Sequence, residues 1–302
     1  MFKTRLLSGI VLVIILIATV GTGGGLLFGF LALISLIGLS ELYKVVDVQN
    51  KILGLTGYLG AVVYYGILYT GQMQYVTLLT IAFLVVLMAV YVFSFPTFKA
   101  EQVMTVFFGV FYVAVMLSYV YQTRMLEDGA VAVWLIFLSS WGCDTCAYCA
   151  GMLLGKHKMA PKLSPKKSVE GGIYVGGVAG RNSGSVEVGV DAHDKARNID
   201  GRSGEGIGGI VGAALLGAIF AVAANKITGA GVNPAQYAVI CGVGGMISQI
   251  GDLAASAIKR NHDIKDYGKL IPGHGGILDR FDSVIFTAPI IYYLATFLAG
   301  RL

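Results

Sequence analysis

Two short stretches of this 302-residue chain hold its densest groupings of side chains able to do chemistry. The first, Ser256 to Asp282, reads SAIKRNHDIKDYGKLIPGHGGILDRFD. It interleaves Lys259, Arg260, Lys265, Lys269 and Arg280 with Asp263, Asp266, Asp279 and Asp282, and Asp252 lies just upstream. Such a mixture suits phosphoryl chemistry. Carboxylates hold a hard divalent ion through oxygen, while Lys and Arg neutralise phosphate oxygens. Gly273, Gly275 and Gly276 allow backbone to approach a ligand closely. Asp279 and Asp282 are three residues apart, so at a helix start both face one way. The plain alternative is a solvated, charge-balanced loop. The second stretch, Asp144 to Gly171, reads DTCAYCAGMLLGKHKMAPKLSPKKSVEG. Lys156, Lys158, Lys162, Lys166 and Lys167 make it a cationic strip beside an apolar segment. Its plain alternative is a topology signal that touches anionic lipid.

The elements that position these residues follow from composition. Hydrophobic residues make up 56% of the chain and charged residues 13%, against about 25% charged in an ordinary soluble domain. No charge occurs between Arg5 and Glu41, between Lys51 and Lys99, or between Glu101 and Arg124. Runs of this length predict transmembrane helices. The composition excludes an ordinary soluble enzyme, a disordered chain and a small disulfide-stapled domain. Nine spans are expected, near 6–21, 26–43, 53–70, 75–95, 103–123, 129–152, 207–225, 235–255 and 284–300, the first marginal in length. The fold class is therefore all-α and polytopic. A five-helix region, 1–128, precedes a catalytic region, 129–302, with polar loops at 153–206 and 256–283. No cleavable signal peptide is read at the start.

Alternating nine spans from a cytoplasmic N-terminus leaves Arg124, Lys226 and Arg301 as the outer basic residues and puts the other Lys and Arg inside. That asymmetry predicts N-in, C-out, with both polar loops in the cytosol. It also accounts for the net charge of +5 without nucleic acid. Asp144 and Asp252 fall within or at the end of apolar spans, where an acid costs about 2.5–3.5 kcal/mol and marks a site. A transporter would spread such groups over several helices; here spans three to five carry none.

Cys143, Cys146 and Cys149 read as small buried residues on one drifting helix face, because no fourth ligand completes an iron–sulfur pattern. His157, His193 and His262 have no metal-ligand spacing. Small residues in spans seven and eight predict close helix packing.

The first stretch resembles, at every fixed position, the signature of the phosphatidate cytidylyltransferase (CDP-diacylglycerol synthase) family. The match is carried by Ser256, Lys259, Arg260, Lys265, Asp266, Gly268, Pro272, His274, Gly275, Gly276, Asp279, Arg280 and Asp282. The second stretch is similar to another family segment through Asp144, Ala147, Tyr148, Gly151, Gly155, Lys156, Pro161, Ser164, Pro165, Lys166, Lys167, Ser168, Glu170 and Gly171. Residues 172–205 depart from the pattern as an insert; a tolerated loop is expected there.

The resemblance implies condensation of CTP with phosphatidate at the cytoplasmic face of the inner membrane. It implies Mg²⁺, with or without a monovalent ion, and a homodimer. Metal ligands would be Asp252, Asp279 and Asp282, with Asp144 a weaker candidate. Lys259, Arg260 and Arg280 would contact phosphate, and Ser256 and His274 would hydrogen-bond it. Lys156, Ser164, Lys166, Lys167, Lys265, Gly275 and Gly276 would bind substrate phosphates. The alternatives are another CTP-using lipid enzyme (a polyprenol kinase or an ether-lipid cytidylyltransferase) and, further off, a transporter.

Overall fold

The structure is a computed structural model describing residues 2–154, 158–160, 164–168, 207–229, 231–271 and 275–298. Its long elements are all helices. They are α1 (Phe2–Thr22), α2 (Gly24–Val45), α3 (Ile52–Tyr69) and α4 (Val76–Phe93). The fifth, α5 (Ala100–Arg124), passes through a π-helical segment at Val110–Val115. The sixth, α6, runs as Gly129–Phe137, a π-helical segment Leu138–Gly142, and Cys143–Leu154. Then follow α7 (Ile207–Thr228), α8 (Pro234–Asn261) and α9 (Leu278–Leu298). Among the described residues, eight helices are long and apolar enough to cross a bilayer. The described apolar part of α1, Ser8–Thr22, is shorter, as its marginal length predicted. The chain is an all-α, multi-pass membrane protein. A small ribbon, β1 (Lys158–Ala160) paired antiparallel with β2 (Ser164–Ser168), lies in the lysine strip.

The element ends differ from the hydropathy reading in one important place. Span eight was expected to stop near 255 and span nine to begin near 284. Instead α8 continues to Asn261 and α9 begins at Leu278. Hydropathy ends a span where charge begins, but a helix continues while its charged residues find partners. Much of the charged signature is therefore helical.

The two halves pack by different means. In the first five helices, large side chains interlock and tyrosines bond across helices. Tyr43 Oη donates to the Val106 carbonyl at 3.0 Å. Tyr65 Oη pairs with Ser35 Oγ and Tyr64 Oη with Ser118 Oγ, both at 2.8 Å. In lipid, packing and such bonds hold helices together, since apolar faces gain little by leaving lipid tails. At the far end, Arg124 Nε donates to the Val20 carbonyl at 3.1 Å and caps α1.

In the last helices, small residues let backbones close. A methyl at Gly209 would lie 2.8 Å from Ala147 Cβ, and one at Gly212 would strike Cys146. Cys143 is buried, Cys146 intermediate and Cys149 exposed, which is the drift that steps of three produce. Asn233 caps α8 by accepting the Ala235 N–H at 2.9 Å, with Pro234 in the first turn. The outward surfaces are apolar; Phe93 and Ile227, for example, are 89% and 83% exposed, which suits contact with lipid.

Candidate active site

The C-terminal end of α8 meets the N-terminal end of α9 at one end of the bundle. On α8, Asp252, Ser256 and Lys259 are four and three residues apart, which places them on one face. All three are half-buried, whereas Arg260 and Lys265 are exposed. Gly251 brings the helices together beside Asp252. A methyl there would lie 3.0 Å from the Asp282 carbonyl and 2.9 Å from the Phe286 ring.

Asp279 is the hub. Its Oδ1 accepts from Lys259 Nζ at 2.9 Å. Its Oδ2 accepts from the backbone N–H groups of Tyr267 and Gly276, at 2.8 and 2.9 Å. Asp279 and Asp282 are both buried, at 7% and 8% exposure, on the shared helix face that their spacing predicted. Asp282 Oδ1 accepts the Ser283 N–H at 2.8 Å. Of the charges acting on Asp282, Asp252 is the strongest and Lys259 the next. Gly275 adopts φ +87°, a left-handed conformation that favours glycine, and its O accepts the Ile271 N–H at 2.9 Å.

Three residues at the site were not singled out from sequence. Tyr267, the variable residue of the signature's K-D-x-G, has its ring 5.4 Å from Lys259 Nζ, a cation–π distance. Its hydroxyl donates to the Ala255 carbonyl at 3.1 Å. Burial pushes the Tyr267 phenol above its ordinary range, and nearby Tyr112, Asp279 and Asp282 add to this. Tyr112 comes from the π-helical segment of α5 and is 2% exposed. Among the described residues its Oη has no hydrogen-bond partner, and Asp282, Asp252 and Asp279 lie within electrostatic reach of it. Glu41, near the end of α2, is 8% exposed. Its Oε1 accepts the Ile277 N–H at 3.0 Å and its Oε2 the Leu278 N–H at 2.9 Å.

Other expected residues lie elsewhere. Arg280 is exposed and lines a pocket of about 200 Å³ with Leu12 and Val13 of α1, Trp141 and Ile271. Asp144 is half-buried in the turn that follows the π segment of α6. Ser164, Lys166 and Lys167 lie on β2, described in backbone only. Lys156, His274 and residues 172–205 fall outside the described residues.

Among the described residues, no three His, Cys, Asp or Glu side chains form a ready-made metal cage. Magnesium does not need one; it commonly takes one or two carboxylates and completes its shell with water and nucleotide phosphate. Asp252 and Asp282, which lie within electrostatic reach of each other, fit that requirement. Asp279 already serves Lys259 and two backbone donors.

A carboxylate–lysine cluster at one end of a multi-pass bundle suits phosphate chemistry at a membrane. More particularly, the chain belongs to the cytidylyltransferase family, whose model matches residues 3–187 and 202–298. The unmatched stretch lies inside the segment read as an insert. The chain is 29% identical to the phosphatidate cytidylyltransferase of Bacillus subtilis (strain 168), over 97% of both chains. It is 28% identical to that of Staphylococcus saprophyticus and 29% to that of Staphylococcus epidermidis, over 97% of this chain and 98% of each relative.

Proposed function

We propose that this chain is a phosphatidate cytidylyltransferase acting at the cytosol-facing surface of the inner membrane, with its N-terminus inside and C-terminus outside. The observation that carries the reading is the buried Lys259–Asp279 pair, set within electrostatic reach of Asp252 and Asp282 inside the family signature. A phosphate oxygen of phosphatidate attacks the α-phosphorus of CTP. The bond from that phosphorus to the β-phosphate oxygen breaks, and pyrophosphate leaves.

Both reactants are polyanions, so bringing them together is opposed until positive charge offsets the repulsion. Lys259, held in place by Asp279, supplies one such charge near the reacting phosphates. Arg260 and Lys265 are free to reach triphosphate from the exposed surface. Arg280 sits between this cluster and an apolar pocket, as a lipid headgroup would require. Ser256 and His274 donate to phosphate oxygens. Lys156, Ser164, Lys166 and Lys167, with Gly275 and Gly276, complete the phosphate contacts.

Asp252 and Asp282 would hold Mg²⁺, with Asp279 joining by releasing Lys259; Asp144 remains an outlying candidate. The ion supplies charge neutralisation for the triphosphate and leaving group. No covalent intermediate is required, so positioning and electrostatics carry the rate. A monovalent companion ion and a homodimer, both implied by family resemblance, belong to the same proposal, as does the division at residue 128.

Purified protein incubated with labelled CTP and phosphatidate in mixed micelles, with and without Mg²⁺, tests this. Labelled liponucleotide and pyrophosphate are expected with Mg²⁺ only. A failure to form liponucleotide overturns the reading.

A further inference from the structure

We infer that Glu41 of α2 is a positioning residue for nucleotidyl transfer, bracing from the N-terminal half the turn that presents Asp279 and Asp282. The inference rests on the cytidylyltransferase reading above.

Two carboxylates hold this turn. Asp279 Oδ2 takes the N–H groups of Tyr267 and Gly276. Glu41 takes the next two, Ile277 and Leu278, one on each oxygen. Three successive N–H groups, at 276, 277 and 278, are thus satisfied by side-chain carboxylates. A helix start is normally open to an outside anion, because its first N–H groups lack partners within the helix. At α9 Glu41 already takes the N–H groups of Ile277 and Leu278, so substrate phosphate relies chiefly on Lys, Arg and metal. The turn itself is held as rigid backing.

The sequence also makes room for Glu41. A methyl added at Gly268 or at Gly276 would land on the Glu41 carboxylate. Neither glycine has a positive φ, so backbone conformation does not demand glycine there. At Gly268 all three atoms nearest the added methyl belong to Glu41: Oε1, Cδ and Cγ. Truncating Glu41 to alanine would remove all three. The two signature glycines are therefore a socket for a side chain that lies outside the signature, more than two hundred positions away.

The test uses the full-length protein in detergent with CTP and phosphatidate. Glu41→Gln keeps the shape and one acceptor but turns an amide N–H₂ toward a backbone N–H. It is expected to lower kcat about 10- to 100-fold, the scale of a small misplacement of reacting groups. KM for CTP should stay within about threefold, since Glu41 touches no substrate. The Mg²⁺ concentration giving half-maximal rate should rise, because Asp279 and Asp282 lose their fixed register. A purely structural role would lower the thermal midpoint and leave the Mg²⁺ dependence of the surviving enzyme unchanged. The socket is checked separately. Gly268→Ala should be damaging alone but add nothing further in a Glu41→Ala background, a departure from additivity that only contact explains.

Wild-type kcat and Mg²⁺ dependence in Glu41→Gln would overturn the inference, as would full additivity of Gly268→Ala and Glu41→Ala. An inactive wild-type protein would instead overturn the cytidylyltransferase reading, and this inference with it.

Discussion

The first five helices and the last four solve the same packing problem differently. The N-terminal half uses bulk and tyrosine hydroxyls: Tyr43, Tyr64 and Tyr65 each reach another helix. The C-terminal half uses absence of bulk, with glycines lying against Ala147, Cys143, Cys146 and Cys241. Close backbones leave little freedom for side chains between them, and α8 and α9 carry the metal and phosphate candidates. Reacting groups therefore sit where packing is tightest. The tyrosine-linked half contributes Glu41 and Tyr112 to the site.

This contrast can be broken in graded ways. The largest effect belongs to Asp282→Asn, which should lower turnover by about 10³-fold, the upper range for losing one transition-state electrostatic contact. Far-UV helicity and detergent elution position should stay unchanged; turnover near wild type at limiting Mg²⁺ would remove Asp282 as a ligand. Glu41→Gln comes next, with its kcat loss of about 10- to 100-fold. It would show that the N-terminal half shapes chemistry without touching substrate.

Gly212→Ala tests the glycine packing itself. The added methyl meets Cys146, and overpacking of this kind costs about 1–3 kcal/mol. A lowered thermal midpoint is expected, with activity falling in proportion to folded protein. Tyr64→Phe removes the hydroxyl that bonds Ser118 and Gln122, each such bond worth about 0.6 kcal/mol in a membrane interior. Its midpoint should move least; a drop as large as that of Gly212→Ala would erase the distinction between the halves.

Tyr267→Phe adds a pH test outside the spans. The Tyr267 phenol is raised above its ordinary value of 10.0, chiefly by burial. The folded state therefore holds that proton more tightly than the unfolded chain. The associated stability is present below about pH 10 and is lost above it. Wild type should lose stability faster than Tyr267→Phe as pH rises past 10, in thermal melts, and the two should run parallel between pH 6 and 9.

Much of this was legible before any coordinates. Long charge-free runs fixed the spans because hydrocarbon tolerates no unpaired backbone or charge. The spacing of Asp279 and Asp282 foretold their shared face, but of the three cysteines read as buried only Cys143 is, while Cys146 is intermediate and Cys149 exposed. The extent of α8 and α9 was hidden, because a charged residue ends a hydropathy run whether or not it ends a helix. Glu41 read as an ordinary acid near a membrane interface. Its signal lay elsewhere, in two glycines whose backbone does not need them. Tyr112 gave no signal in a segment already rich in Phe and Tyr. What makes it notable, a buried hydroxyl with no partner among the described residues, depends on position alone.

The brace between Glu41 and the start of α9 also bears on how the enzyme is made. Ribosomes deliver α2 well before α9. Until α9 arrives, Glu41 has no N–H groups to hold and the signature turn has no backing. Competence for catalysis therefore comes as a single late event, when the newest helix docks against one of the oldest. A membrane receiving this chain would contain no half-assembled intermediate able to consume CTP.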